Sequence, residues 1–122
     1  MEVNPAALSK LSLIVTIVGR GSGEAVAALL RARGVLYNMI LLGKGTANSD
    51  LLDYLGLGST EKDILLSAVS AERAKELLAV ISAEFDLAKI GRGIAFSVPI
   101  GSVGGERTLK YLFGTSEQKE GK

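Results

Sequence analysis

The sequence predicts an α+β fold in which a four-stranded antiparallel sheet carries two helices on one face. Three observations predict it. Apolar, β-branched runs occur four times, and a stretch with helical periodicity lies between the members of each pair. The second strand–helix–strand pattern begins about 50 residues after the first, so the chain reads as a duplication. At 122 residues and 48% hydrophobic content it fits one domain with an ample core.

The first strand is residues 11–18, Leu-Ser-Leu-Ile-Val-Thr-Ile-Val. A glycine-rich turn, Gly19 to Gly23, leads to a helix over 24–33 that places Val26, Leu29, Leu30 and Arg33 on one face. Gly34 is its stop signal. Val35 to Leu42 is the second strand, and Ile64 to Val69 the third. Ser70 is positioned to cap the second helix, and Glu72 in its first turn suits the positive end of the helix dipole. Ala74, Leu77, Leu78, Ile81 and Phe85 form its buried stripe. Gly91 and Gly93 break the chain before the fourth strand, Ile94 to Ile100. Two such units make the duplicated β-α-β, ferredoxin-like arrangement.

The strands are too apolar for a sheet covered on one side only, which should alternate apolar and polar residues. In the first strand Leu11, Leu13, Val15 and Ile17 fill one face, while Ile14 and Val18 join Thr16 on the other. The second strand offers Leu36, Ile40 and Leu42 against Val35, Tyr37, Met39 and Leu41, and the third Leu65 and Val69 against Ile64, Leu66 and Ala68. At roughly 25 cal/mol per Å² of apolar surface, a wet second face would forgo several kcal/mol and invite aggregation. Either that face is an oligomer interface or the C-terminal segment folds over it.

Composition narrows function by exclusion. With no Cys and no His, thiolate chemistry, His or Cys zinc sites and Ser-His-Asp triads are ruled out within one chain. No convergent acid–base set appears, so an enzyme is not expected. Fourteen Lys and Arg against thirteen Asp and Glu give a formal charge of +1, with no general pull toward nucleic acid or an anionic membrane. RNA-recognition domains of this topology carry aromatics on their central strands, whereas the first and third strands here have none. Residues 1–10 contain one Lys, with Glu2 interrupting any basic leader, and the run Leu11 to Val18 is too short to span a bilayer. The expectation is a cytoplasmic protein that does not insert into membranes and binds no nucleic acid.

Two loops attract attention. The long connection Gly43 to Glu61 opens Gly-Lys-Gly-Thr-Ala-Asn, contains Ser49 as a cap for a short turn through Leu51, Leu52 and Tyr54, and has the length of a functional segment. The segment Lys89-Ile90-Gly91-Arg92-Gly93 supplies two cations and two glycines. Glycine permits positive φ and close backbone approach, so its amides can surround an anion while Arg92 adds a bidentate contact. The plainer alternative is a helix-to-strand turn, with Arg92 solvated and Lys89 opposing the helix dipole. The turn Gly19-Arg20-Gly21-Ser22-Gly23 is neither a P-loop nor a full GxGxxG, and reads mainly as a tight turn.

Lys89-Ile90-Gly91-Arg92-Gly93-Ile94-Ala95-Phe96, with Pro99 beyond it and Gly43-Lys44-Gly45 upstream, resembles the PII family of trimeric signalling proteins. The resemblance covers residues 11–107. It leaves 1–10 as an N-terminal extension and 108–122 as a C-terminal tail, with loop 43–61 in the place of the family's T-loop. It implies a homotrimer that requires no cofactor and binds an effector, ATP, ADP or AMP, between subunits. The site residues it implies are Gly45, Lys89, Gly91, Arg92, Gly93 and Arg107. It also implies a regulated transporter or metabolic enzyme, contacted through loop 43–61, and a place in nitrogen regulation. The departures are specific. Arg92 and Ile94 stand where the family has Asp and Lys, Thr46 and Ala47 where it has Arg and Gln, and Gly105 where it has a second C-terminal arginine. Losing the Gln argues against magnesium-ATP-dependent 2-oxoglutarate binding. Two alternatives remain: a PII-like trimer that senses another small anion such as bicarbonate, and a structural oligomer without a ligand.

Overall fold

A computed structural model describes residues 10–45, 61–105 and Arg107. The elements run β1 (Leu11–Gly19), α1 (Gly23–Ala32), β2 (Tyr37–Lys44), β3 (Glu61–Ser70), α2 (Ala71–Phe85) and β4 (Ile94–Pro99). The sheet has the order β2-β3-β1-β4, and each neighbouring pair is antiparallel. This is the predicted ferredoxin-like arrangement, with each helix linking an edge strand to a central one. The turn expected through Ser49, Leu51, Leu52 and Tyr54, the departures Thr46 and Ala47, and residues 1–9 and 108–122 lie outside the described residues.

The register decides which strand face the helices cover. Ile14, Thr16 and Val18 of β1 pair with Ser67, Leu65 and Asp63 of β3, and all six are buried. Val26, Ala27 and Leu30 of α1 and Ala74, Leu77 and Ile81 of α2 complete this core, with Leu29, Ile40, Leu78, Phe85, Leu87 and Ala95 packed around it. Inside this layer Ser67 donates to Asn38 Oδ1 at 2.7 Å, and Asn38 Nδ2 donates to Val35 O at 3.0 Å. A polar pair is thereby satisfied where β2, β3 and the end of α1 meet.

The sequence reading places Val35 in the second strand, on the same face as Tyr37, Met39 and Leu41, but β2 begins two residues later. Helix α1 ends in a Schellman motif. Gly34 takes φ +88°, its amide donates to Arg31 O, and the amide of Val35 returns to Leu30 O at 2.9 Å. That closure turns Val35 into the helix-side core, where it is 3% exposed. Arg33 is the cap residue of α1 rather than part of its apolar stripe, and it is exposed. A second expectation also changes. Ser70 occupies the N-cap position of α2, but its side chain makes no capping bond. The first amide of the helix, that of Ala71, donates instead to the carbonyl of Lys10.

Neither α1 nor α2 covers the opposite sheet face. Period-two alternation puts Leu13, Val15 and Ile17, Met39 and Leu41, Ile64 and Leu66, and Ile94, Phe96 and Val98 on it. Met39, Leu41, Ile94, Phe96 and Val98 are each 37–45% exposed. The described part of the C-terminal segment, 100–105, does not form a strand over it. No helix among the described residues is long and apolar enough to cross a membrane.

Candidate functional site

Both glycine-rich turns and the root of loop 43–61 lie at one end of the sheet. Gly19 pairs with Lys62, Gly43 pairs with Lys62 from the other side, and Ile17 pairs with Ile94 at the start of β4. Across this end, however, β2 and β4 are opposite edges. With strands about 4.8 Å apart, Gly45 beyond β2 and loop 89–93 before β4 are separated by roughly 14 Å. Lys89, Gly91, Arg92 and Gly93 are together in one loop, while Gly45 is not brought to them within the chain. Arg107 is exposed and lies beyond β4.

Loop 89–93 is built on the end of α2. Asp86 takes the left-handed conformation, φ +56°, and its amide and that of Leu87 both return to Ser82 O. The Lys89 amide then donates to Asp86 O and the Arg92 amide to Lys89 O. The side chain of Arg92 donates through Nε to Phe85 O at 3.2 Å, which satisfies a carbonyl that the helix end leaves open. Its two terminal nitrogens make no bond among the described residues, and the residue is exposed. Lys89 is exposed as well.

The two glycines of the loop are required for different reasons. Gly91 has φ +97°, and a Cβ there would meet no atom within 4 Å. Gly93 has φ +122°, and a Cβ would lie 2.5 Å from Ile17 O and 3.1 Å from Val18 Cγ1. Gly93 is therefore demanded by the approach of the loop to β1, independently of any ligand. Among the described residues the loop's own hydrogen bonds leave the amides of Gly91 and Gly93 unused.

The turn 19–23 differs in one decisive respect: its anion is internal. Asp63 Oδ2 accepts from the amides of Gly21 and Gly23, each at 2.9 Å, at the N-terminus of α1. A Cβ on Gly23 would sit 2.9 Å from that oxygen. The reading of this segment as a tight turn holds, with the carboxylate as its cause.

Lys62 is a residue of interest that the sequence reading missed. It is 5% exposed, lies on the helix-free face at the root of loop 43–61, and burial lowers its ammonium pKa from the usual value. The signal was its period-two spacing with Ile64, Leu66 and Ala68, which puts a cation on an otherwise apolar face.

The scaffold defined here, a ferredoxin-like sheet with both helices on one face and loops at one end, is shared with solved structures. No protein-family model matches the sequence, and no curated protein does. Solved structures do match. PII of Arabidopsis thaliana, bound to citrate, superposes with a TM-score of 0.61 at 19% identity over 82% of this chain and 86% of that one. CPII of Thiomonas intermedia K12, bound to ADP, AMP and acetate, gives 0.58 at 21% identity over 77% and 88%. A functionally unknown protein of Pediococcus pentosaceus gives 0.58 at 12% identity over 79% and 97%. The chain has the PII-like fold.

Proposed function

We propose that this chain is a PII-like signal-transduction regulator without enzymatic activity. It binds a small effector, an adenine nucleotide, between the subunits of a homotrimer in the cytoplasm. Through loop 43–61 it controls a transporter or metabolic enzyme in nitrogen regulation. The observation that carries this reading is loop 89–93, where unused glycine amides lie beside the outward Arg92 and Lys89 on a fold that CPII uses with ADP and AMP bound. The separation of Gly45 from that loop supports a site completed by a second subunit. The apolar face left uncovered by α1 and α2, with Met39, Leu41, Ile94, Phe96 and Val98 exposed, supplies a reason for subunits to associate.

Light scattering and calorimetry test it together. The wild type is expected to scatter at three times 12.7 kDa and to bind ATP, ADP or AMP in the micromolar range or above. Val15, central on the helix-free face, is the position at which a charge should dissociate the assembly. Val15→Glu is expected to give a folded 12.7 kDa monomer that binds no nucleotide. A wild-type monomer, or no binding at millimolar nucleotide, overturns the proposal. Bicarbonate binding without nucleotide binding would replace the effector while keeping the architecture.

A further inference from the structure

Arg20, in the turn between β1 and α1, makes contacts that its tight-turn role does not require. Its Nε donates to Lys62 O at 3.2 Å and lies 3.2 Å from Asp63 Oδ1, and its Nη2 donates to Gly43 O at 2.9 Å. Its Nη1 is 4.0 Å from Glu61 Oε1. Gly43 and Lys62 face each other in the β2–β3 ladder, one pair before the last, Lys44 with Glu61. One guanidinium thus holds a carbonyl on each strand close to where β2 and β3 part.

The ladder alone holds this place weakly. β2 is an edge strand with β3 as its single neighbour, and its final residues Leu41, Leu42 and Lys44 are exposed. Terminal pairs of such a ladder open at low free energy. The contacts of Arg20 are charge-assisted and use the planar fork of the guanidinium, so they are stronger than the neutral bonds they supplement. Asp63 extends the connection, since it receives Arg20 on one oxygen and, on the other, the amides of Gly21 in the turn and Gly23 at the start of α1.

We propose that Arg20 is a strap across the root of loop 43–61, fixing the point where β2 and β3 part and tying it through Asp63 to the N-terminus of α1. The strap exists whether or not the loop reports an effector. It gives the loop a defined base, and a displacement of that base must break contacts that also hold α1.

Hydrogen exchange by mass spectrometry on the full chain tests the strap. Arg20 is exposed, and Asp63 keeps its two amide donors without the guanidinium, so Arg20→Ala is expected to fold. Peptides covering 41–45 and 61–62 should exchange about ten-fold faster or more in that variant, while 13–17 and 65–69 keep their wild-type protection. Arg20→Lys should recover little of the protection, because one ammonium cannot reach two carbonyls and a carboxylate together. Asp63→Asn should fall between wild type and Arg20→Ala, since its amide oxygen can still accept from Gly21 and Gly23 while the charge pair is lost. Unchanged exchange at the root in Arg20→Ala overturns the proposal. So does a uniform acceleration across the whole sheet, or a lysine variant indistinguishable from wild type.

Discussion

The turns 19–23 and 89–93 look alike in composition, each an arginine between glycines, and they share one end of the sheet, yet they have opposite relations to negative charge. The first joins a strand to a helix N-terminus, where the dipole attracts an anion, and Asp63 of β3 already fills it. The second follows a helix C-terminus, where the dipole repels an anion, and among the described residues no carboxylate bonds to it. Among the described residues its glycine amides stay unused, and its arginine spends one nitrogen on Phe85 O while the other two find no partner. Glycine and arginine therefore do not define an anion site by themselves. What matters is whether the fold brings an internal carboxylate to the same amides.

Substitutions in the two turns should separate these roles. The largest effect is expected from Gly93→Val, because even a Cβ would stand 2.5 Å from Ile17 O in a backbone with φ +122°. Thermal or urea unfolding should show a loss of about 3 kcal/mol or more, whether or not an effector is present. A variant of wild-type stability would mean that the loop does not press on β1.

In the filled turn, Gly23→Ala pushes a methyl group against Asp63 Oδ2 at 2.9 Å and Asp63 Cβ at 3.0 Å. It should cost roughly 1–3 kcal/mol by weakening the two amide bonds to that carboxylate. Unfolding together with exchange at Gly21 and Gly23 would reveal it, and no change at either amide would show that Asp63 is not the cap.

Arg92→Ala addresses the open turn. Losing an exposed charge-assisted contact should weaken nucleotide binding by roughly 1.5–3 kcal/mol, about 10- to 150-fold. Calorimetry with ATP, ADP and AMP checks it, and unaltered affinity would move the site elsewhere. The smallest effect on folding is expected from Gly91→Ala, where φ +97° is strained for alanine but no atom lies within 4 Å. A loss of roughly 1–2 kcal/mol is expected from the conformation alone. A loss as large as that of Gly93→Val would show that the space beside Gly91 is not open.

Much of the fold was legible before the structure. β-Branched runs marked β1, β3 and β4, the spacing from Ala74 to Phe85 marked the face of α2, and glycines at 34, 91 and 93 marked chain reversals. Local rules suffice there, because strand and helix periods and the φ > 0 requirement are properties of short segments. Val35 was misplaced because the Schellman closure that carries it into the core depends on amides bonding back to Leu30 and Arg31, not on its β-branched side chain.

The candidate site was legible only as a set of residue types. The sequence by itself determined the duplicated strand–helix–strand order, the excess of apolar residues on the strands and the absence of His and Cys chemistry. Tertiary structure decided which strand face α1 and α2 cover, since that depends on how they pack on the sheet. It decided that Gly93 answers to Ile17, 76 positions earlier in the sequence, and that Asp63 answers to Gly21 and Gly23 some 40 positions away. Periodicity reaches only a few residues along a chain, whereas the meaning of an amide, a carboxylate or a guanidinium is set by what the fold places within hydrogen-bond reach.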